Sequence, residues 1–241
     1  MDSAAPLFAG WKKTMVRSCL QGHMGTVVTD GRTPPESALC AVGDFCFLAG
    51  RPDPELARQA DRPILIPRTP DWEPVLRSVF SEKLSPFTRY AMEGPEAFDR
   101  ERLAAYAAAL PEGYALSPIL PQHYPVLMGQ AWSKDLCGNF RDGDDFVRRG
   151  LGVIALQDGI PVAGASSYTI HDGGVEIEID TRPDQRRKGL ALSCGARLIL
   201  DCLDRGLVPS WDAHNLPSVA LAEKLGYRLR APYQAYFLNL Y

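Results

Sequence analysis

The segment from Val175 to Leu203 constrains the fold more than any other part of the chain. It opens with "VEIEIDT" (175–181), in which apolar and acidic residues alternate strictly. A two-residue period marks a strand with unlike faces, here Val175, Ile177 and Ile179 against Glu176, Glu178 and Asp180. From Gly189 to Leu203 the sequence is almost wholly apolar, interrupted by Ser193, Arg197 and Asp201, four apart. A wet stripe that narrow on a 3.6-residue helix leaves the rest of its surface for burial, so the helix packs on a sheet. Arg197 and Asp201 are spaced to pair at i, i+4. The joint between strand and helix is "RRKGLA" (186–191), three cations and a glycine at a helix start.

The surrounding sequence supplies the rest of that sheet. "LGVIALQDG" (151–159) and "IPVAGASSYTIHDGG" (160–174) read as two strands joined by an Asp-Gly hairpin turn. "YALSPIL" (114–120), "LVPSWDAHN" (207–215) and "RLRAPYQAYFLNL" (228–240) read as three more. "LPSVALAEKLGY" (216–227) is a helix with Pro217 in its first turn and Gly226 at its end. Residues 122–150 read as short helices and loops. In the first half, 26–31, 38–44, 45–50 and 62–67 are strand-like, and 69–80 and 97–110 helical. The "PEG" after the second helix predicts a boundary, with an N-terminal α/β domain at 1–112 and a second domain at 113–241. The expected class is α/β (α+β): a mixed, mostly antiparallel sheet flanked by helices.

Charge and cysteine usage narrow the function. The chain has 241 residues and a formal net charge of −3, which argues against nucleic acid as a partner. The "RRK" run also lacks the interleaved aromatics of a nucleic-acid surface. No apolar stretch reaches the ~18–20 residues of a membrane span, and "MDSAAPLFAGWKK" has no secretory pattern. The six cysteines form no CxxC pair, so no metal site is expected and a reduced, cytoplasmic setting is.

A helix N-terminus carries unpaired N–H groups and about half a positive charge. Anions bind there. Gly189 removes a side chain where a ligand would approach the backbone, and Arg186, Arg187 and Lys188 add charge. Such a site suits a pyrophosphate. "TRPDQRRKGLA" resembles the acyl-CoA loop of the GNAT superfamily of N-acyltransferases, whose Arg/Gln-x-x-Gly-x-Gly/Ala pattern is matched by Arg186, Gly189 and Ala191. "NLPSVALAEKLGYRL" is similar to a second block of that family, with Asn215 and Gly226–Tyr227 in the expected places. The resemblance covers about 114–241. In the first half it is looser, and there it extends to a degenerate GNAT-like half and to a subgroup that includes zwittermicin-resistance acetyltransferases.

The resemblance implies acetyl-CoA (coenzyme A) as cosubstrate. It implies that the amides of Arg186, Arg187, Lys188, Gly189, Leu190 and Ala191 hold the pyrophosphate. The pantetheine arm lies along the backbone of Ile179, Asp180 and Thr181, and Asn215 contacts the cofactor. An amine then attacks the thioester directly, and a carboxylate on the same strand takes its proton. Glu176 is the first candidate for that base and Glu178 the second; the alternative is that both are solvated. The family's thiolate-protonating tyrosine corresponds to Ala222, which leaves Tyr227, Tyr233, Tyr236 or water. His214 could line the acceptor side. Within 130–146, Trp132, Asn139 and Phe140 could face an acceptor, and Asp142, Asp144 and Asp145 could attract a cationic amine or form only a solvated acidic loop. The implied acceptor is a small-molecule primary amine, and a homodimer is compatible with the sequence. The competing function is an acyl-CoA-binding module with a sensor or partner role.

Overall fold

The computed structural model describes residues 3–240. Contacts divide the chain into two compact units, one running up to Arg89 and resuming at Pro232, the other spanning Tyr90–Ala231. The boundary expected at 112/113 therefore moves. Helix α4 (Arg100–Ala108), expected in the first domain, instead packs on a helix of the second unit, and the last strand returns to the first.

The first unit holds α1 (Thr14–Leu20), β1 (Thr26–Thr29), β2 (Ser37–Val42), β3 (Phe45–Gly50), α2 (Pro54–Ala57), β4 (Ile64–Pro67) and α3 (Trp72–Phe80). Strand β5 (Leu84–Glu93) starts in this unit and ends in the second. β2 and β3 form a hairpin buried almost throughout, and β3 runs parallel to β4. Their inward side chains, Leu39, Cys46, Leu48 and Leu65, close over Trp72, Leu76 and Leu56 to make this unit's core.

The second unit continues with β6 (Tyr114–Pro118), α5 (Tyr124–Met128), α6 (Gly143–Arg149), β7 (Gly152–Gln157), β8 (Ile160–His171) and β9 (Gly174–Thr181). Then follow α7 (Leu190–Asp204), β10 (Val208–Ser210), β11 (Asp212–Ala213), α8 (Leu216–Leu225) and β12 (Arg228–Leu238), which crosses back into the first unit. One sheet has the order β10-β9-β8-β7-β6, antiparallel except for the parallel β10–β9 pair. This is the mixed, mostly antiparallel architecture expected. The β7–β8 turn has the positive φ at both Asp158 and Gly159 that a tight Asp-Gly hairpin needs.

Helix α7 lies on one face of this sheet. A Cβ on its Gly195 would come within 3.3 Å of Ile179, so the Val175–Ile177–Ile179 face is the one α7 covers. The wet stripe is narrower than the sequence implies, because Ser193 is itself buried. Arg197 and Asp201 do pair, Nε to Oδ1 at 2.9 Å. The opposite face is covered by the 121–150 segment: Ser166 donates to the Leu136 carbonyl at 2.6 Å, and a Cβ at Gly164 would strike Leu136. No helix among the described residues is long and apolar enough to cross a membrane.

Candidate active site

The site begins where the second unit's sheet forks. β10 pairs with β9 only over Gly174, Val175 and Glu176. After Trp211 the chain turns away, and Asp212 and Ala213 pair with Ala91 and Tyr90 of β5 instead. The run 207–215, which reads as one strand, is thus two short strands in different sheets. Beyond Glu176, β9 keeps β8 on one side and has no ladder partner on the other, among the described residues.

Residues along an antiparallel strand alternately turn both backbone groups toward and away from the neighbour. The Thr181 N–H donates to Asp180 Oδ1 at 2.6 Å and its carbonyl accepts from Arg186 Nε at 3.2 Å, so Thr181 faces the open edge. Ile177 and Ile179 share that edge by period. Arg182 donates to the Val162 carbonyl on β8, which places the Asp180 backbone, two residues back, on the inner side. Of the three residues expected to line the pantetheine arm, Ile179 and Thr181 present backbone groups outward. Asp180 presents a side chain. Burial raises its carboxyl above the ordinary aspartate value, against the opposing pull of the Thr181 N–H and of Arg186, 3.8 Å away.

The open edge leads into the start of α7. Gly189 sits in the left-handed region with φ 81°, no side chain caps the helix there, and Arg187 also has a positive φ of 63°. A Cβ at Gly189 would meet no heavy atom within 4 Å, so the space above this backbone is open. Successive left- and right-handed residues turn their N–H groups into one concavity, a shape that takes an oxyanion. Arg186 and Arg187 are exposed; Arg186 reaches back to Thr181. Lys188 is turned aside, its Nζ donating to Tyr114 Oη at 3.0 Å and Gln185 Oε1 at 2.7 Å. It braces the loop against β6. Leu190 is buried under the first turn and Ala191 half-buried.

The two glutamates part company. Glu176 is 6% exposed, so the alternative that it is a solvated strand residue does not hold. Glu178 is half-buried. Antiparallel partners share a face, so Glu178 stands beside Ser166 and Glu176 beside Thr169, on the side covered by residues 121–150.

Several expected site residues have other work. Asn215 caps α8, its Oδ1 accepting the Ser218 N–H at 2.9 Å. Tyr227 is buried and donates to the Pro209 carbonyl at 2.9 Å. Burial, helped by Cys202 and Glu176, pushes its hydroxyl well above the ordinary tyrosine value, so it is a poor acid. Tyr236 belongs to the first unit's core, raised to about 12 by burial, and Lys13 sits 3.6 Å from the Tyr233 ring centre. Ala222 is fully buried and His214 exposed.

The acidic loop is structural rather than a lure for amines. Asp142 caps α6 through the Asp145 N–H at 2.7 Å. Asp145 is buried and clamps Arg148 and Arg149; the Arg149 bond is the main cause that lowers its carboxyl to about 2. Asp144 is exposed. Phe140 packs edge-on against Phe146 in the core, Asn139 donates to the Tyr168 carbonyl, and Trp132 is half-buried. All six cysteines are buried and none forms a disulfide, and burial raises Cys137, Cys194 and Cys202 to about 12, which makes these three poor nucleophiles.

The sheet forks at Glu176, and the open edge of β9 runs to an uncapped, glycine-started helix, an arrangement found in a known enzyme family. The GNAT acetyltransferase family model matches residues 5–236, and the chain belongs to that family as an N-acetyltransferase. The match reaches well beyond 114–241 and takes in the first unit. A GCN5-related N-acetyltransferase-like protein from Streptococcus suis 89/1591 has 43% identity and a TM-score of 0.94, over 98% of this chain and 97% of that one. An uncharacterized N-acetyltransferase, YdfB, of Bacillus subtilis (strain 168) is 26% identical over 79% of this chain and 71% of its own length. A GCN5-related N-acetyltransferase from Kribbella flavida shares the fold at 17% identity and a TM-score of 0.57, over 95% and 96% of the two chains.

Proposed function

We propose that this protein transfers the acetyl group of acetyl-CoA to a primary amine of a small molecule. The observation that carries the reading is the fork at Glu176, where an open backbone edge, a buried carboxylate and an anion-shaped helix start occur together. Backbone groups of Ile179 would hold the pantetheine arm, those of Thr181 being free to do so only once released from Asp180 and Arg186, and the turn at Arg187–Ala191 the pyrophosphate. The open volume over Gly189 suits that fit.

The amine nitrogen attacks the thioester carbonyl carbon. The C–N bond forms, the C–S bond breaks, and the amine's excess proton passes to Glu176. Glu176 is buried on the strand at the fork, where the reaction needs a proton acceptor. The departing thiolate takes its proton from water, since Ala222 replaces the family's tyrosine and Tyr227 is committed to Pro209. Cys137, Cys194 and Cys202, with thiols raised to about 12 by burial, carry little thiolate to form an acyl-enzyme, which supports direct attack. Six buried cysteines without a disulfide also suit a cytoplasmic setting.

We read the first unit as a degenerate half. It repeats the strand, helix, strand, helix, strand order, yet β3 and β4 stay paired from Phe45 to Leu48 with no fork. Its α2 is four residues long and capped by its own Asp53. One cosubstrate per chain is expected. The test is release of free thiol from acetyl-CoA in the presence of a panel of amino sugars, polyamines and amino acids. Amine-dependent release supports the reading, and hydrolysis alone at the same rate with every amine contradicts it.

A further inference from the structure

Thr169 is fully buried, and its hydroxyl has no hydrogen-bond partner. An unsatisfied buried hydroxyl costs stability, so its place in the fold matters. β8 bulges at Tyr168, between Ser167 and Thr169. Without the extra residue Thr169 would turn to the α7 face. With it, Thr169 lies directly across from Glu176 and shares its face. On the other side of Glu176 the register partner is Ser210, the last residue of β10 before the chain leaves for the other sheet. The buried carboxylate is thus flanked by a hydroxyl on each neighbouring strand, in one row at the fork. Asn139, from the segment that covers this face, donates to the Tyr168 carbonyl at 3.0 Å and holds the bulge in place.

We propose that Thr169 is a positioning residue which holds the water that relays the acceptor amine's proton to Glu176. The inference rests on Glu176 being the base. Side chains directly opposite on neighbouring strands lie about 5 Å apart at Cβ, close enough for one water to bond both. A water held this way has Thr169 Oγ1, the Glu176 carboxylate and the incoming nitrogen as partners, within the two to four that an ordered water needs. It gives one proton to the carboxylate as it takes one from the amine, and is unchanged at the end.

The test is Thr169→Val, which keeps the shape and removes the hydroxyl, with Thr169→Ser as the conservative control. Both are assayed with acetyl-CoA and the best amine from the panel. Thr169→Val is expected to lower kcat about tenfold, the scale of one lost hydrogen bond. KM for acetyl-CoA should stay unchanged and the melting temperature unchanged or higher, because an unsatisfied group is gone. Thr169→Ser should recover most of kcat. Full turnover in Thr169→Val would overturn the proposal, as would a loss confined to KM for acetyl-CoA. The base assignment fails separately, through an unchanged rate in Glu176→Gln.

Discussion

Replacing Gly189 with aspartate should weaken cosubstrate binding on the order of 10²-fold while leaving the stability of the fold little changed. Gly189 has φ 81°, which costs a non-glycine residue about 1 kcal/mol. No heavy atom lies within 4 Å of the new Cβ, so no clash adds to it. Helix α7 has no side-chain cap, and a carboxylate at its N-terminus returns up to about 1 kcal/mol. The net change in folding free energy is near zero. For the ligand, a carboxylate about 5 Å from a phosphate costs about 3 kcal/mol at an effective dielectric near 20, or on the order of 10²-fold in affinity. Gly189→Ala is the control, since it bears the strain without the charge and should lose less than about tenfold. Calorimetric titration with acetyl-CoA, paired with thermal melts, separates the two. If Gly189→Asp bound acetyl-CoA as tightly as Gly189→Ala, the pyrophosphate would not sit at this helix start.

Three further outcomes are expected. Glu176→Gln should lower kcat on the order of 10²-fold with acetyl-CoA affinity unchanged, and a rate equal to wild type in stopped-time assays would move the base elsewhere. Tyr227→Phe should lower stability by about 1 kcal/mol through the lost bond to Pro209, seen as a fall in urea midpoint, with kcat within twofold of wild type. Asp145, lowered to about 2 in the fold, stabilises the protein fully above its unfolded pKa near 4, and that contribution disappears as pH falls toward 2. It amounts to about 1–2 kcal/mol. Asp145→Asn should therefore flatten the acid limb of the stability curve, and an unchanged slope between pH 5 and pH 2 would show that the clamp contributes nothing.

The strand, loop and helix from Val175 to Leu203 were legible because period and glycine placement are local signals. The fork was not. The run 207–215 is one strand by propensity, and only pairing shows that it breaks at Trp211 and changes sheets. Strand β5 escaped notice because Pro86 and its polar residues demote it, and Ser85, Pro86 and Thr88 are exposed. Alternation in "VEIEIDT" identified two faces but could not show that residues 121–150 cover the acidic one, so it left open whether Glu176 is solvated; it is buried. The roles of Asp142 and Asp145 had a usable signal: an aspartate three before another, with arginines three and four further on, is a capped and clamped helix start. The domain boundary was misplaced because sequence gives no sign that the last strand returns to the first unit. The likeness to the zwittermicin-resistance subgroup stays an expectation.

The most direct test of the account is a calorimetric titration of the wild-type protein with acetyl-CoA, with NAD and ATP as controls. Selective binding in the micromolar range at one site per chain is expected. Absence of heat with acetyl-CoA, or equal affinity for all three ligands, would contradict the claim that the open edge of β9 and the start of α7 form an acyl-CoA site.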